Sequence, residues 1–179
     1  VKLVKIIAHG IKDPAFAKKA IQSGVDFLEI DVTKRILSSR FTIQHNFLKG
    51  AFGIGPILET LLTAEIKTRA FLDLKPISLS NTFAAKLTNL LIKHKVKNIK
   101  ICGHEWKMIS QICTESGALP YYTLKNKQSV IRFKKLMPHL KKPAGFSVKY
   151  NLIDEKFMKE FKRKSTEIWT WTVNDAKEA

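Results

Sequence analysis

Residues 24–32 read Gly-Val-Asp-Phe-Leu-Glu-Ile-Asp-Val, and this segment decides the fold class. Side chains of a β-strand alternate between its two faces. A strand here therefore carries apolar side chains on one face, while Glu29 and Asp31 lie together on the other. The apolar face can pack beneath helices, which leaves the two carboxylates pointing inward.

The rest of the chain repeats short apolar runs and amphipathic segments, separated by Gly, Pro, Asn or Asp. Strands are predicted over residues 3–8, 26–32, 41–44, 70–74, 98–102, 119–123, 145–148 and 167–173. Helices are predicted over residues 14–23, 57–64, 81–95, 106–116, 129–140 and 155–164. This alternation predicts parallel βα units in a single α/β domain over residues 1–179, either a doubly wound sheet or a (β/α)8 barrel.

Length and composition exclude several classes of protein. The 179 residues include 32 Lys and Arg against 15 Asp and Glu, a formal net charge of +17, which excludes an acidic solvating or calcium-buffering protein. A hydrophobic content of 45% excludes a disordered basic tail. The two cysteines, Cys102 and Cys113, lack the spacing of a zinc site. No apolar run reaches the roughly 20 residues of a membrane helix, so we expect a cytoplasmic protein.

Positive charge is concentrated between Glu115 and Asp154, where the chain has no acidic residue. Such a segment attracts anionic lipid headgroups, which makes an anionic membrane surface, with the protein peripheral to it, one candidate partner. The Lys-biased composition favours the other interpretation, a Lys-rich solvated surface. Nucleic acid is disfavoured because aromatic residues are not interleaved with the bases. The bases of the segment are Lys125, Lys127, Arg132, Lys134, Lys135, Lys141, Lys142 and Lys149.

A third carboxylate repeats the alternation of the first two. Asp73 lies in the run Leu-Asp-Leu-Lys over residues 72–75, so it joins Glu29 and Asp31 on the inward faces of the predicted strands. Burying like charges without a partner costs several kcal/mol. A hard cation such as Mg²⁺ or Ca²⁺ removes that cost because it prefers oxygen ligands. Inward ion pairs of Lys75 with Asp73 or Glu29 are the alternative.

Two histidines also end predicted strands, His9 the first strand and His45 the strand over 41–44. If those strands are parallel, both histidines lie at the rim that holds the carboxylates. Two imidazoles and a cation suit phosphodiester cleavage, because one group activates the attacking oxygen, another protonates the departing alcohol and the cation stabilises phosphoryl charge. A capping or buried hydrogen-bonding histidine is the alternative.

Five segments in this order resemble the glycerophosphodiester phosphodiesterase family. They are 7–10 (Ile-Ala-His-Gly), 24–32, 43–46 (Ile-Gln-His-Asn), 71–75 (Phe-Leu-Asp-Leu-Lys) and 171–175 (Trp-Thr-Val-Asn-Asp). The resemblance implies a TIM-like (β/α)8 barrel with its site at the C-terminal rim, and cation-dependent hydrolysis of small-molecule or lipid glycerophosphodiesters to glycerol 3-phosphate and an alcohol. It implies that His9 and His45 are catalytic, that Glu29 and Asp31 bind the metal, and that Lys75 faces the phosphate.

The chain departs from the family pattern in its first loop, its second histidine motif and its third metal strand. The family's His-Arg-Gly appears as His9-Gly10, without the phosphate-binding Arg and the Pro-Glu-Asn loop. Its His-Asp appears as His45-Asn46, and its third metal-binding Glu appears as Asp73.

These departures leave alternatives open. The short first loop and the Asp-Leu-Lys strand are similar to the sphingomyelinase D and phospholipase D toxins, which implies intramolecular cleavage to a cyclic phosphate. A non-catalytic barrel that binds phosphate or anionic lipid is a further alternative. For the hydrolase, Lys149 and Trp171 are predicted to replace the lost Arg contacts, and His45 is taken as the acid.

The chain is short for this fold, since a (β/α)8 barrel typically has about 250 residues and compact ones about 200. We expect the strand over 41–44 to pair with a neighbour of the second strand, with no helix between them. We also expect the closing C-terminal strand of the barrel to be missing from this sequence.

Overall fold

The strands form one curled, mostly parallel sheet in a computed structural model that describes residues 5–75, 81–162 and 167–171. Their order is β1-β2-β4-β5-β6-β7-β8, and every neighbouring pair on this path is parallel. Strand β3 lies off the path and pairs with β2. The strands are β1 (Ile7–Ala8), β2 (Phe27–Lys34), β3 (Phe41–Ile43), β4 (Ala70–Leu74), β5 (Lys100–Gly103), β6 (Leu119–Leu124), β7 (Gly145–Lys149) and β8 (Glu167–Trp171).

Helices follow the strands and cover the outer face of the sheet. Their ends carry local signals, such as Asp13, whose side chain accepts a hydrogen bond from the Phe16 N–H ahead of Pro14. Asn126 and Ser129 form a reciprocal capping box at the start of α7. The helices are α1 (Pro14–Gln22), α2 (Phe47–Ala51), α3 (Leu58–Leu61), α4 (Ala64–Lys67), α5 (Asn81–Lys93), α6 (Trp106–Ser116), α7 (Lys127–Leu136) and α8 (Glu155–Phe161).

Strand alternation separates an outer core from an inner one. Outward side chains such as Leu28 and Leu72 are fully buried in a large apolar cluster shared with the helices. Inward side chains at the N-terminal end of the sheet form a second cluster built on Phe71, Tyr121 and Trp169. On both β2 and β4 the inward face carries an aromatic ring near the N-terminal end of the strand and carboxylates toward the C-terminal end: Glu29 and Asp31 on β2, and Asp73 on β4.

The inner cluster shows how far the sheet curls. Trp169 on β8 stacks on Phe71 of β4 with ring centroids 5.0 Å apart, and meets Phe27 of β2 edge-on at 4.7 Å. Side chains of the last strand therefore contact side chains of β2 and β4 across the interior of the curled sheet. Among the described residues, no backbone hydrogen-bond ladder joins β1 to β8. Within this part of the chain the α/β fold is therefore a TIM-like barrel that lacks its closing strand, as predicted.

Gly145 permits this packing on the inner face of β7. A Cβ atom at this position would lie 2.1 Å from the Tyr121 ring, so any side chain there would displace that ring. Tyr121 in turn lies 5.7 Å from Trp169, centroid to centroid. The glycine therefore leaves room for the aromatic layer.

The structure corrects three sequence-based expectations. The predicted helix over 57–64 is two short helices, α3 and α4, and α2 was not predicted. Strand β3 pairs with β2 itself, not with a neighbour of β2, and it runs antiparallel.

The ends of the predicted strands at 3–8 and 167–173 lie partly outside the described residues. Within the described parts of the chain, none of the helices combines the length and apolarity required to cross a membrane.

Candidate active site

Three carboxylates meet at the C-terminal end of the sheet. Glu29 and Asp31 lie on the inward face of β2, and Asp73 is the register partner of Asp31 on β4. Their side chains are 6%, 4% and 20% exposed, respectively. One oxygen from each can be chosen so that all three lie within 4.8 Å of one another. The structure thus brings together the three residues predicted as metal ligands.

Each predicted catalytic histidine contacts one of these carboxylates. Nδ1 of His9 lies 2.9 Å from Oε2 of Glu29, and Nδ1 of His45 lies 3.0 Å from Oδ2 of Asp31. The Gly10 N–H also donates to Oε2 of Glu29, at 3.0 Å. The hydrogen bond with Glu29 outweighs desolvation and raises the pKa of His9. Both imidazoles stay open to solvent, with 64% and 74% of the side chains exposed.

His45 arrives at the rim by a route different from the predicted one. Strand β3 is not parallel to β2 but runs back along it, so the chain after Ile43 returns to the level of Asp31. The Gln44 N–H donates to the Asp31 carbonyl at 3.1 Å and holds this end of β3 in place. Asn46, which stands where the resembled family has Asp, accepts a hydrogen bond from the Lys49 N–H at 3.1 Å and caps α2.

Lys75 lies between two of the carboxylates. Its Nζ donates a hydrogen bond to Asp73 and forms an ion pair with Oδ1 of Asp31 at 3.1 Å. The ion pair with Asp73 matches the cation-free alternative from the sequence, but the second partner of Lys75 is Asp31, and Glu29 contacts His9 instead. Burial alone lowers the pKa of Lys75, but the two carboxylates outweigh it and raise that pKa above its ordinary value.

The carboxylate cluster fits a hard divalent cation. Burial raises the pKa of Asp73 to about 6, because it outweighs the opposing effect of Lys75. Among the described residues one lysine pairs with these carboxylates, so the cluster has a net negative charge when its histidines are neutral. Oδ1 of Asp31 is buried without a well-aligned hydrogen bond from any described residue. An all-oxygen donor set with this uncompensated negative charge is what Mg²⁺ and Ca²⁺ bind.

A cavity of about 310 Å³ opens beside these groups. Asp31, His45 and Gly10 line it together with Gly55 and Lys12. Lys12 was not predicted as a site residue, although it lies three positions after His9 in the loop where the family pattern would supply its Arg. The exposed Lys12 side chain is thus a cation beside the cavity.

Lys149 and Trp171 lie at the same rim, on the arc of the curled sheet that is distant from the carboxylates. They are register partners at the ends of β7 and β8, and β5 and β6 separate them from β4. Lys149 is exposed and Trp171 is partly buried. The rest of the predicted Trp-Thr-Val-Asn-Asp motif, residues 172–175, lies outside the described residues.

His104 is a further rim residue that the sequence did not single out. It follows Gly103 at the end of β5. Much of the residue is exposed, yet desolvation of the imidazole together with the charges of Lys125 and Lys75 lowers the pKa of His104 to about 4. Burial is the largest cause of this shift, and the two lysines add to it.

The fold is similar to those of several solved phosphodiesterases, whereas neither a protein-family model nor a curated protein matches the chain. An Oleispira antarctica phosphodiesterase in complex with the product sn-glycerol-3-phosphate has a TM-score of 0.73 and 16% identity, covering 98% of this chain and 87% of that one. The fold is that of glycerophosphodiester phosphodiesterases. A Parabacteroides distasonis glycerophosphodiester phosphodiesterase has a TM-score of 0.68 and 16% identity, covering 97% of this chain and 85% of that one. The resemblance to this family predicted from the sequence is therefore confirmed at the level of the fold.

Proposed function

We propose that this chain is a phosphoric diester hydrolase that depends on a divalent cation and cleaves glycerophosphodiesters to glycerol 3-phosphate and an alcohol. One observation carries the proposal: two accessible imidazoles are each held through Nδ1 by a carboxylate of a buried acidic triad. The choice of substrate class is supported by the Oleispira antarctica phosphodiesterase, which has a similar fold and is in complex with the product sn-glycerol-3-phosphate.

Glu29, Asp31 and Asp73 would hold Mg²⁺ or Ca²⁺, which supplies positive charge that stabilises the phosphoryl oxygens. The contacts through Nδ1 fix the ring orientations and leave Nε2 of each histidine to exchange a proton with the substrate. His9 accepts the proton of the attacking water as the new O–P bond forms. His45 donates a proton to the alcohol oxygen as the old P–O bond breaks.

Cationic side chains around the triad bind the phosphoryl group in this proposal. Lys75 stays protonated because the neighbouring carboxylates raise its pKa, and Lys12 supplies a second positive charge from the cavity wall. Lys149 and Trp171, on the far side of the rim, contact the alcohol part of the substrate. The phosphoryl contacts of Lys75 and Lys12 replace those of the Arg that the resembled family carries after its first histidine.

The proposal is tested by incubating the protein with Mg²⁺ or Ca²⁺ and glycerophosphocholine, glycerophosphoethanolamine or a lysophospholipid, with and without chelator. We expect glycerol 3-phosphate from the first two diesters, and a loss of product with chelator. His9→Ala and His45→Ala should each reduce turnover by about 10²–10⁴-fold, because each removes a proton-transfer group. His139→Ala, an exposed residue after α7, is the matched control and should leave turnover unchanged. Full turnover in both histidine variants would disprove the catalytic assignment.

The separate roles of the two histidines are tested with a diester whose leaving group is an acidic phenol such as p-nitrophenol. A good leaving group needs no protonation, so His45→Ala should recover activity on this diester while His9→Ala should not. The reverse pattern would exchange the two roles.

The same assays distinguish the alternatives. If phosphorus NMR shows a cyclic phosphate formed from the lysophospholipid, the reaction is the intramolecular cleavage of the toxin-like alternative and not hydrolysis. No product from any diester, together with salt-sensitive binding to anionic vesicles through Lys125–Lys142, would indicate a non-catalytic lipid-binding barrel.

A further inference from the structure

Large apolar side chains are exposed in the segment between β2 and α3. This segment contains half of the large hydrophobic residues found exposed in the described parts of the chain. Leu37 is 96% exposed and Phe52 is 73% exposed, values far outside those of a packed core. We call the group the rim patch; it consists of Ile36, Leu37, Leu48, Phe52 and Ile54.

Hydrogen bonds hold the parts of the rim patch together. The Ile36 N–H donates to the Ala51 carbonyl at 2.9 Å, which joins the β2–β3 turn to α2. The Ile54 N–H donates to the Lys49 carbonyl at 2.9 Å, which folds the segment after α2 back onto that helix. The rim patch is therefore one folded surface made of a turn, a short helix and a loop. Several large apolar side chains exposed on one folded segment are a candidate interaction surface.

The charged side chains within the segment that carries the rim patch have one sign. From residue 32 to residue 58 the sequence contains no Asp or Glu, while Lys34, Arg35, Arg40 and Lys49 are basic. Arg40 and Lys49 are exposed, and Arg35 anchors the turn by donating from Nε to Thr42 Oγ1 at 2.8 Å. Apolar side chains flanked by bases match an anionic bilayer, where the apolar groups enter the acyl boundary and the bases meet lipid phosphates.

This charge pattern favours a bilayer over other partners. The cores of protein–protein interfaces are depleted in Lys. A nucleic acid would meet the bases but would gain little from five exposed apolar side chains, since its binding is dominated by phosphate contacts. A second copy of this chain would bring bases of the same sign against these bases.

The rim patch also adjoins the candidate active site. The segment that carries it ends in Gly55 and Pro56, which line the cavity with Asp31 and His45. The Ile43 N–H donates to the Pro56 carbonyl at 2.9 Å and fixes this wall of the cavity to β3. A membrane in contact with the rim patch would therefore lie beside the cavity opening.

We propose that the rim patch docks this protein onto anionic lipid bilayers, with the cavity next to the lipid surface. The apolar side chains enter the acyl boundary, and Lys34, Arg40 and Lys49 contact the headgroups. This surface differs from the basic segment between Glu115 and Asp154, and the docking does not require that the proposed hydrolysis take place.

The test is co-sedimentation of the full chain with phosphatidylcholine vesicles that contain or lack phosphatidylserine. The chain should bind the anionic vesicles. The triple variant Leu37→Ser, Phe52→Ser, Ile54→Ser should bind them on the order of tenfold or more weakly, because three apolar groups no longer enter the lipid. The matched control is Ile92→Ser with Ile131→Ser, on α5 and α7, whose side chains are 55% and 57% exposed. This control should bind like the wild type.

Several results would overturn the proposal. Equal binding of the triple variant and the wild type would exclude the rim patch. A loss of binding in the control pair would also exclude it and would point to α5 or α7. A wild-type dimer that the triple variant dissociates, without vesicle binding by either, would assign the patch to a second copy of the chain.

A second measurement does not depend on deleting apolar side chains. Phe52→Trp should add tryptophan fluorescence that brominated lipids quench in anionic vesicles, whereas Ile131→Trp should add fluorescence that they do not quench. The reverse result would place α7, not the rim patch, in the bilayer.

Discussion

The carboxylates at the two ends of the barrel interior differ in how many hydrogen-bond and ion-pair partners the chain gives them. At the N-terminal end Glu167 accepts hydrogen bonds from Lys5, Tyr121 and Trp169, so the chain itself supplies the donors for this carboxylate. At the C-terminal end three carboxylates share one lysine and two exposed imidazoles. The same strand alternation builds both ends. The difference indicates that the first end stabilises the fold and the second is arranged for a ligand.

The pKa shifts reflect this contrast. Burial by itself raises the pKa of Glu167, but the hydrogen bonds from Lys5, Tyr121 and Trp169 outweigh it and hold that pKa below its ordinary value. Burial also raises the pKa of Asp73, and here Lys75 does not overcome it, so the value rises to about 6. The folded chain thus favours the charged form of one carboxylate and disfavours the charged form of the other.

The largest expected effect compares one change at the two ends. Asp31→Asn should lower diester hydrolysis by about 10²–10⁴-fold, because it removes a candidate metal ligand and the carboxylate that orients His45. Glu167→Gln makes the same carboxylate-to-amide change at the N-terminal end and should retain the activity of the folded protein. Turnover measured below the unfolding temperature of both variants checks this. Equal losses would remove the functional distinction between the ends.

Trp169→Ala should lower the free energy of unfolding by about 3–5 kcal/mol, because it empties the centre of the inner aromatic cluster. Trp171→Ala, two residues further along the same inward face of β8, is the control and should cost much less, since that side chain lies partly exposed at the rim. Urea unfolding of both variants measures the difference. A similar loss in each would mean that the rim also carries the fold.

Divalent cations should stabilise the protein through the C-terminal end alone. At 100 times its dissociation constant, a cation bound only by the folded state adds about 2.7 kcal/mol of stability. We expect Mg²⁺ or Ca²⁺ to raise the unfolding temperature of the wild type and of Glu167→Gln, and chelator to reverse the shift. Glu29→Gln should remove it. A shift that persists in Glu29→Gln but disappears in Glu167→Gln would place the cation at the wrong end.

The smallest effect concerns pH. Because the folded-state pKa of Glu167 is lowered from 4.5, its contribution to stability is present above about pH 4.5 and is lost as the pH falls through the folded-state value. Glu167→Gln should cost about 1–3 kcal/mol at pH 7, since it replaces charge-assisted hydrogen bonds. That difference from the wild type should shrink as the pH falls below 4.5, as measured by urea unfolding across pH. A difference independent of pH would show that the charge of Glu167 is not involved.

The sequence predicted most of the barrel because each inward and outward face follows from alternation alone. Glu29, Asp31 and Asp73 share a face through their spacing within strands, and a parallel sheet then places them at one end. Alternation carries no direction, however, and the antiparallel course of β3 was missed. The connection over residues 35–40 held the signal, because a parallel crossover needs about a dozen residues or more.

Other features needed three-dimensional contacts. The predicted helix over 57–64 divides because the Thr63 N–H bonds back to the Leu61 carbonyl at 2.8 Å, where apolar spacing alone suggested continuity. Lys12 carries no local motif, and its approach to the cavity depends on how the first loop packs beside β3. The pairing of each histidine with one particular carboxylate also followed from packing, because spacing predicted only a shared rim.

The antiparallel return of β3 has a consequence for how this protein can change in evolution. The carboxylates and the lysine of the acidic cluster and both histidines all come from the first 75 residues. His45 is among them because β3 returns along β2 before the chain goes on to β4. The later strands contribute Tyr121 and Trp169 to the inner aromatic cluster and form the opposite arc of the rim, with His104, Lys149 and Trp171 at their ends. In the proposed hydrolase, mutations in that later half should therefore alter which alcohol is accepted and leave the acidic cluster and its two histidines unchanged.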